Sequence, residues 1–333
     1  MHPALQGLIT IIIGVGGCVG YFWLSNLVLD KVLFPPRGPN AGRNINRANM
    51  IRPWLFLFPA LAALGLYLAY PVFETLRLSM IERDGVEEHW VWFANYARMA
   101  AEPKFIEALR NNFLWLLVVP AASTAFGLLA AQLTDRLRWG NLAKSLIFMP
   151  MAISFVGAAV IWKLVYDYRP IDQEQIGVLN AIVVALGGEP QTWLQIPFWN
   201  NFFLMVVLIW IQTGFAMVIL SAALRGIPEE TVEAAIVDGA NPFQIFFKIK
   251  VPQIRGTIVV VWTTITLVVL KIFDIVFAMT NGQWGTQVLA NYMFDKLFRA
   301  NDWGVGSASA MVIMVLVTPI LVWNVVNARR EMK

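Results

Sequence analysis

The chain alternates long runs free of Asp, Glu, Lys and Arg with shorter segments where those residues gather. Uncharged runs extend from Pro3 to Leu29, Pro53 to Phe73, Asn111 to Thr134, Ser145 to Trp162, Pro190 to Leu224 and Trp303 to Ala328. Each reaches or approaches the ~20 residues that a helix needs to cross roughly 30 Å of hydrocarbon. A seventh, Gly256 to Ala278, is apolar apart from Lys271 and Asp274. Lipid offers backbone N–H and C=O groups no partner, so such segments must be helical. The alternation of a membrane β-strand is absent, and the runs are too long for one. The pattern predicts an all-α, polytopic membrane protein with about seven transmembrane helices.

Composition agrees. Of 333 residues, 58% are hydrophobic and 14% charged, against about 25% charged in a soluble domain. The first run follows only His2 rather than a basic segment, and it exceeds the apolar stretch of a signal peptide. It reads as a retained helix. Cys18 is the single cysteine, which precludes an intrachain disulfide.

Charge sets the expected orientation. With the 225–255 loop placed in the cytoplasm, that side holds Lys31, Arg37, Arg43, Arg47, Arg52, Arg136, Arg138, Lys144, Arg225, Lys248, Lys250, Arg255, Arg329, Arg330 and Lys333. These are fifteen of the 25 basic residues. The other side holds Arg77, Arg83, Arg98, Lys104, Arg110, Arg169, Lys296 and Arg299 over much longer loops, while Lys163 and Lys271 fall within spans. The positive-inside bias puts the N-terminus outside and the C-terminus in the cytoplasm. It also accounts for the net charge of +4 without nucleic acid as a partner. The outer segments 74–110 and 167–199 are long enough to fold locally. Their Trp90, Trp92, Trp193 and Trp199 suit interfacial anchoring or a docking surface for an external partner.

The most informative loop runs from Arg225 to Pro252. Pro228 suits the first turn of a helix, and Glu229 and Glu230 complement its N-terminal dipole. That helix should stop at Gly239. Asn241 then caps a second helix with Pro242 at its first position, and Val251-Pro252 should end it.

This loop resembles that of ABC importer permeases: Glu-Ala-Ala, three residues, Gly, nine residues, Ile, one residue, Leu-Pro. Glu233-Ala234-Ala235, Gly239, Ile249 and Pro252 occupy those positions, Val251 replaces the Leu, and Asp238-Gly239-Ala240 matches the sugar-importer form. The resemblance continues in order through Trp54–Tyr70 before Pro71, Phe93–Tyr96, Phe105 to Asn112, Phe148–Pro150, Phe273-Asp274 and Ser307-Ala308, covering roughly residues 53–330. Met149–Gly157, Tyr166–Pro170 and Gln175–Asn180 look most similar to α-glucoside importer permeases.

The resemblance implies a six-helix permease core over 53–333, preceded at 1–52 by an additional helix and a basic linker. It implies a coupling loop at 225–254 that docks on an ATPase, Ala234, Ala235 and Gly239 permitting close approach and Glu233 anchoring the turn or pairing across the contact. It implies two ATPase subunits carrying ATP and Mg, a second related permease, a periplasmic or extracellular solute-binding protein, and a sugar crossing the bacterial inner (plasma) membrane.

Polar residues within spans carry less. Lys271 and Asp274, three apart, would share a helix face and can pair. They serve either as a structural pair or, with Phe273, Trp210 and Gln212, as lining of a substrate path. The Gly16–Gly20 spacing suits a helix-packing face. Pro59, Pro120, Pro150 and Pro319 suit helix shape or hinge motion.

The sequence lacks a Gly-x-x-x-x-Gly-Lys-Ser/Thr phosphate loop and a Gly-x-Ser-x-Gly elbow. Two histidines and one cysteine make no zinc or haem constellation. The chain reads as no enzyme and as holding no cofactor itself. The alternatives are a permease for another small solute, an ion-coupled secondary transporter, for which inverted repeats are missing, and a membrane scaffold without transport.

Overall fold

A computed structural model describes residues 3–85, 87–135 and 137–331. His2, Arg136 and Lys333, all used above, lie outside them. The chain opens with α1 (Pro3–Leu27), extended by a π-helical stretch at Val28–Leu33. Then comes α2 (Ala41–Leu64), which continues through a π segment at Gly65–Ala69 into α3 (Tyr70–Ser79). A hairpin of β1 (Ile81–Asp84) and β2 (Glu87–Trp90) precedes α4 (Ala94–Ala101) and the long α5 (Pro103–Thr134). Next are α6 (Gly140–Phe148), a 3-10 turn at Met149–Ala152, α7 (Phe155–Val165), α8 (Val178–Ala185) and α9 (Trp199–Arg225). α10 (Glu229–Val237) is followed by α11 (Pro242–Gln244) and α12 (Val251–Gln253), joined through a π segment at Ile245–Lys250. The chain ends with α13 (Arg255–Leu270), α14 (Asp274–Met279), α15 (Leu289–Phe294) with a π extension at Asp295–Arg299, and α16 (Trp303–Glu331).

Among the described residues, five helices are long and apolar enough to cross a membrane: Leu5–Leu33, Ala41–Ser79, Pro103–Thr134, Trp199–Arg225 and Trp303–Trp323. Two bent pairs raise the number to as many as seven if each is one span. Both pairs interrupt runs expected to form single helices. The run from Ser145 to Trp162 is broken, because Gly140–Ala152 and Phe155–Val165 meet at 105°. Pro150 sits in the 3-10 turn, Ile153 and Ser154 are extended, and Ser154 Oγ accepts from Gly157 N–H as the cap of α7. The break therefore combines a proline with a new N-terminus whose first turn is satisfied. Pro59, Pro120 and Pro319 instead lie inside continuous helices.

The run from Gly256 to Ala278 is broken too. α13 stops at Leu270, Lys271 caps its C-terminus, and Phe273 caps α14 with φ −138° and ψ −60°. Lys271 and Asp274 are therefore not on one helix face, and among the described residues no ion pair joins them.

The chain divides into two compact units between Glu74 and Thr75. In the first, α1 and α2 form a helical hairpin. Arg52 donates to both carboxylate oxygens of Asp30 (2.7 and 2.8 Å) and to Asn26 Oδ1, while Tyr21 Oη donates to Leu55 O. The apolar windows of these spans are unburied within the chain, and Gly16 and Gly20 meet nothing within 4 Å. Among the described residues of this unit, nothing packs on that small-residue pattern.

In the second unit α5 lies along α9, the most extensive helix pair. A Cβ on Gly127 of α5 would stand 2.4 Å from Ala216 Cβ on α9, and one on Gly214 of α9 would stand 2.6 Å from Ile147 O of α6. Without side chains at these points the backbones come close enough for dispersion to hold helices that lipid would solvate equally well. Trp115, Leu204, Leu208, Ile211, Met217, Val261, Ile265 and Ile275 fill this core. The segment 74–110 does fold locally, around Asn95. Its buried amide donates to Ser79 O and Ile81 O at 3.0 and 2.9 Å, and Tyr96 Oη bonds Ser79 Oγ.

Candidate functional site

The 225–254 segment is a short helix, a turn and a second helix, as its residue types require. α9 ends at Arg225 and Pro228 caps α10, one position earlier than expected, because its ψ of 132° is extended. Gly239 takes φ +81°. Its N–H bonds Ile236 O at 3.0 Å and the Ala240 N–H bonds Ala235 O at 2.9 Å, the paired closure that ends a helix on a left-handed glycine. Asn241 and Gln244 then form a reciprocal capping box, both bonds 2.9 Å, with Pro242 in the first turn. Helix continues past Val251 and Pro252 to Gln253, then bends by 72° into α13. The π segment ahead of Pro252 widens the turn where the proline withholds a donor and crowds the preceding carbonyl.

Ala235 and Ile245 are the buried contacts that hold α10 on the π segment. Ile249 is half-buried. Glu233, Ala234, Asp238 and Gly239 face outward. Among the described residues the Glu233 side chain has no hydrogen bond or ion pair, so it does not anchor the turn. Large apolar side chains share this outward surface: Ile236, Val237, Phe243 and Phe247, with Val237 86% exposed. A short, rigid, capped projection that displays unpaired acid and unburied aliphatic and aromatic groups can dock on another protein, and buries little until it does.

At the base of the segment stands a polar junction that sequence reading missed. Asp135, the C-cap of α5, accepts from Arg225 Nε and Nη2 (3.1 and 2.9 Å) and from Ser221 Oγ (3.0 Å). It also pairs with Lys144 of α6, whose Nζ reaches Ser221 Oγ at 2.6 Å. Burial pushes the Asp135 carboxyl up, but the hydrogen bonds from Lys144, Arg225 and Ser221 outweigh it and hold the group below its ordinary value.

At the opposite end of the helices a loop is tied down by amides. Asn111 Nδ2 donates to Gly285 O and Gln287 O at 2.9 and 2.8 Å, Asn112 Oδ1 accepts from Leu289 N–H at 2.8 Å, and Glu107 Oε1 accepts from Gln287 N–H at 3.0 Å. From α9, Asn200 and Asn201 donate to Trp284 O and Gly285 O. Asn281, Gly282, Trp284 and Gly285 all have positive φ. Side chains of two long helices thus supply the partners that a turn so sharply bent cannot find in itself. The signal was present in the Asn-Asn pairs at 111–112 and 200–201, but its target loop was not. A polar cleft of about 570 Å³ opens beside this loop, lined by Glu102, Lys104, Gln287, Asp295, Lys296 and Arg299 among others. Lys296 pairs with Glu102 and Arg299 with Asp295 across the lining, and Lys104 pairs with Glu107 beside it.

The residues expected along a substrate path lie on α9 and around the break between α13 and α14. Trp210 meets Trp162 edge-on at 5.8 Å, in a ring series running on through Tyr166 and Phe203 to Trp193. Phe273 stacks on Phe277 at 5.0 Å in a separate cluster with Phe294. Gln212 is buried on α9, Asp274 is half-buried and Lys271 exposed.

Residues 123–332 match the family described as binding-protein-dependent transport system inner membrane component. The chain belongs to this family. It is 65% identical over 335 residues to the alpha-glucoside transport system permease protein AglF of Rhizobium meliloti, covering 99% of each chain. It is 47% identical over 279 residues to the osmoprotective compounds uptake permease protein GgtC of Synechocystis sp., covering 84% of this chain and 99% of the relative. A solved bacterial ABC transporter that imports the acidic polysaccharide alginate shares the fold, with a TM-score of 0.71 over 87% of this chain and 99% of that one at 20% identity. The chain is accordingly an ABC importer permease, a multi-pass protein of the inner membrane. Its relatives are permease components, not enzymes.

Proposed function

We propose that this chain is the transmembrane subunit of an ATP-driven importer that carries an α-glucoside di- or oligosaccharide across the bacterial plasma membrane. Close identity along the whole chain to a permease named for alpha-glucoside transport carries the substrate assignment. The capped 225–254 projection, with Glu233 unpaired and its apolar face open, supports a role as the contact with an ATPase. ATP and Mg belong on two such subunits. A second related permease completes the pathway, and a solute-binding protein delivers the sugar. The basic bias places the N-terminus outside and the C-terminus inside. The amide-fastened loop and its cleft then face the solute-binding protein.

The test is uptake of labelled maltose, trehalose, sucrose and glucose in cells with and without the gene. Loss of disaccharide uptake alone is the expected result. Unchanged uptake of all four overturns the sugar assignment and favours a second reading, a small osmoprotective solute, which the 47% identical relative suggests.

A further inference from the structure

We infer that Asp135 is a positioning residue that locks the base of the 225–254 segment to the membrane helices, so that movement of that segment reaches α5 and α6 as well as α9. The inference rests on the reading of this segment as the ATPase contact.

α10 is joined to α9 through Gly226, Ile227 and Pro228, and on its other side through the π segment to α13. Through the α9 connection alone, a displacement passed along the backbone would move only that helix. Asp135 ties the end of α9 to its neighbours, so α9 does not move by itself. Its carboxylate holds Arg225, the last residue of α9, and Ser221 one turn earlier, while its own backbone caps α5. Lys144 completes the junction from α6, bonding both Asp135 and Ser221.

The position matters as much as the bonds. α6 leads through the 3-10 turn into the 105° break before α7, and Gly214 brings α9 against the end of α6. A displacement at the junction therefore meets one tightly packed helix pair and one broken helix. Two cations share one carboxylate, and without it Lys144 and Arg225 would repel each other across the same gap. Lys144 and Asp135 side chains are only 14% and 20% exposed, so solvent screens this pair less than it screens a surface one. Arg225, 60% exposed, is the member least shielded from solvent.

The experiment uses the full importer, purified with its own partners and reconstituted in vesicles. It measures ATP hydrolysis with and without sugar-loaded binding protein, together with sugar transported per ATP. Asp135→Asn should leave assembly and unstimulated hydrolysis intact and reduce stimulation by roughly 10-fold, the scale of an ordinary coupling between sites. Asp135→Glu should recover most of it. A structural defect alone would lower all activities together and would not be rescued in the ratio.

If Asp135→Asn does not accumulate, Ser221→Ala combined with Arg225→Gln cuts only the links to α9 and should show the same loss. Unchanged stimulation and stoichiometry in an assembled Asp135→Asn importer overturns the inference. Glu233→Lys, measured alongside, separates the two ideas. If it stops transport while Asp135→Asn changes nothing, the contact reading stands and the junction falls. If Glu233→Lys also changes nothing, the contact reading itself falls.

Discussion

Gly239 stands in open space, with nothing within 4 Å of where a Cβ would lie, yet its φ of +81° is one that L side chains avoid. Substitution there acts through the backbone rather than by collision. Gly239→Ala should cost about 1 kcal/mol locally, and Gly239→Val more, because β-branching narrows the choice further. Both should lower uptake while immunoblots show unchanged protein in the membrane. Normal uptake by Gly239→Val would mean that the turn tolerates another geometry. Glu233→Lys reverses an unpaired acid on the projection and should abolish uptake with the protein still in place.

Asn111 poses the opposite case, since its side chain is almost wholly buried. Asn111→Ala removes two hydrogen bonds; Gly285 O keeps Asn201, but the buried Gln287 carbonyl is stranded, at about 1–3 kcal/mol for a buried group left unpaired. Faster protease cleavage near residues 280–288 in detergent is the expected sign, and unchanged cleavage would show that other amides suffice. Gly239 and Asn241 were legible in the sequence because their roles are local. Asn111 was not, because its partners lie more than 170 residues away.

At the scale of elements, the closest approach is between α5 and α9. Gly127→Leu would drive its side chain into Ala216 and the Met217 backbone nitrogen, atoms that cannot swing aside. Much less protein should accumulate in the membrane, whereas Gly16→Leu on the uncovered face of α1 should accumulate normally. Equal amounts of the two would contradict the packing. The Asp135 junction has its own pH dependence. Its carboxyl is held below the ordinary value of 3.8, so its stabilising contribution is full above that value and fades as pH falls through the lower native one. Thermal unfolding of the purified protein should therefore owe no change between pH 7 and pH 5 to this group, and Asp135→Asn should be equally destabilised at both. The broken spans belong to this scale too. Composition could not distinguish a straight helix from one interrupted at Ile153-Ser154 or at Lys271–Phe273, since the side chains on either side are equally apolar.

For the molecule as a whole, orientation and unit structure make a joint prediction. The first helices form their own compact unit, with Arg52 and Asp30 paired between them. A chain starting with a Met before Ala41 would begin on the side where Arg43, Arg47 and Arg52 belong, in keeping with the positive-inside bias. It should insert with the same orientation and retain uptake. Cysteine labelling of a residue in 94–101 from outside intact cells checks the orientation, and failure to label there would reverse it.

What the sequence determined by itself was whatever depends on solvent and on near neighbours. Lipid demands helices of apolar residues, so their rough places could be read off; left-handed glycine, Asn cap and proline act within a turn of themselves, so the 225–254 segment could be drawn almost residue by residue. Tertiary structure decided the rest. The 105° and 72° bends came only with the packed backbone, and the fastening of residues 284–289 by Glu107 and four asparagines and the meeting of α5, α6 and α9 at Asp135 pair groups remote in the chain. It also gave Trp210 and Phe273 different ring partners and put Lys271 and Asp274 on either side of a helix break. Polarity fixes the medium in which a side chain can lie; only the packed backbone fixes what lies beside it.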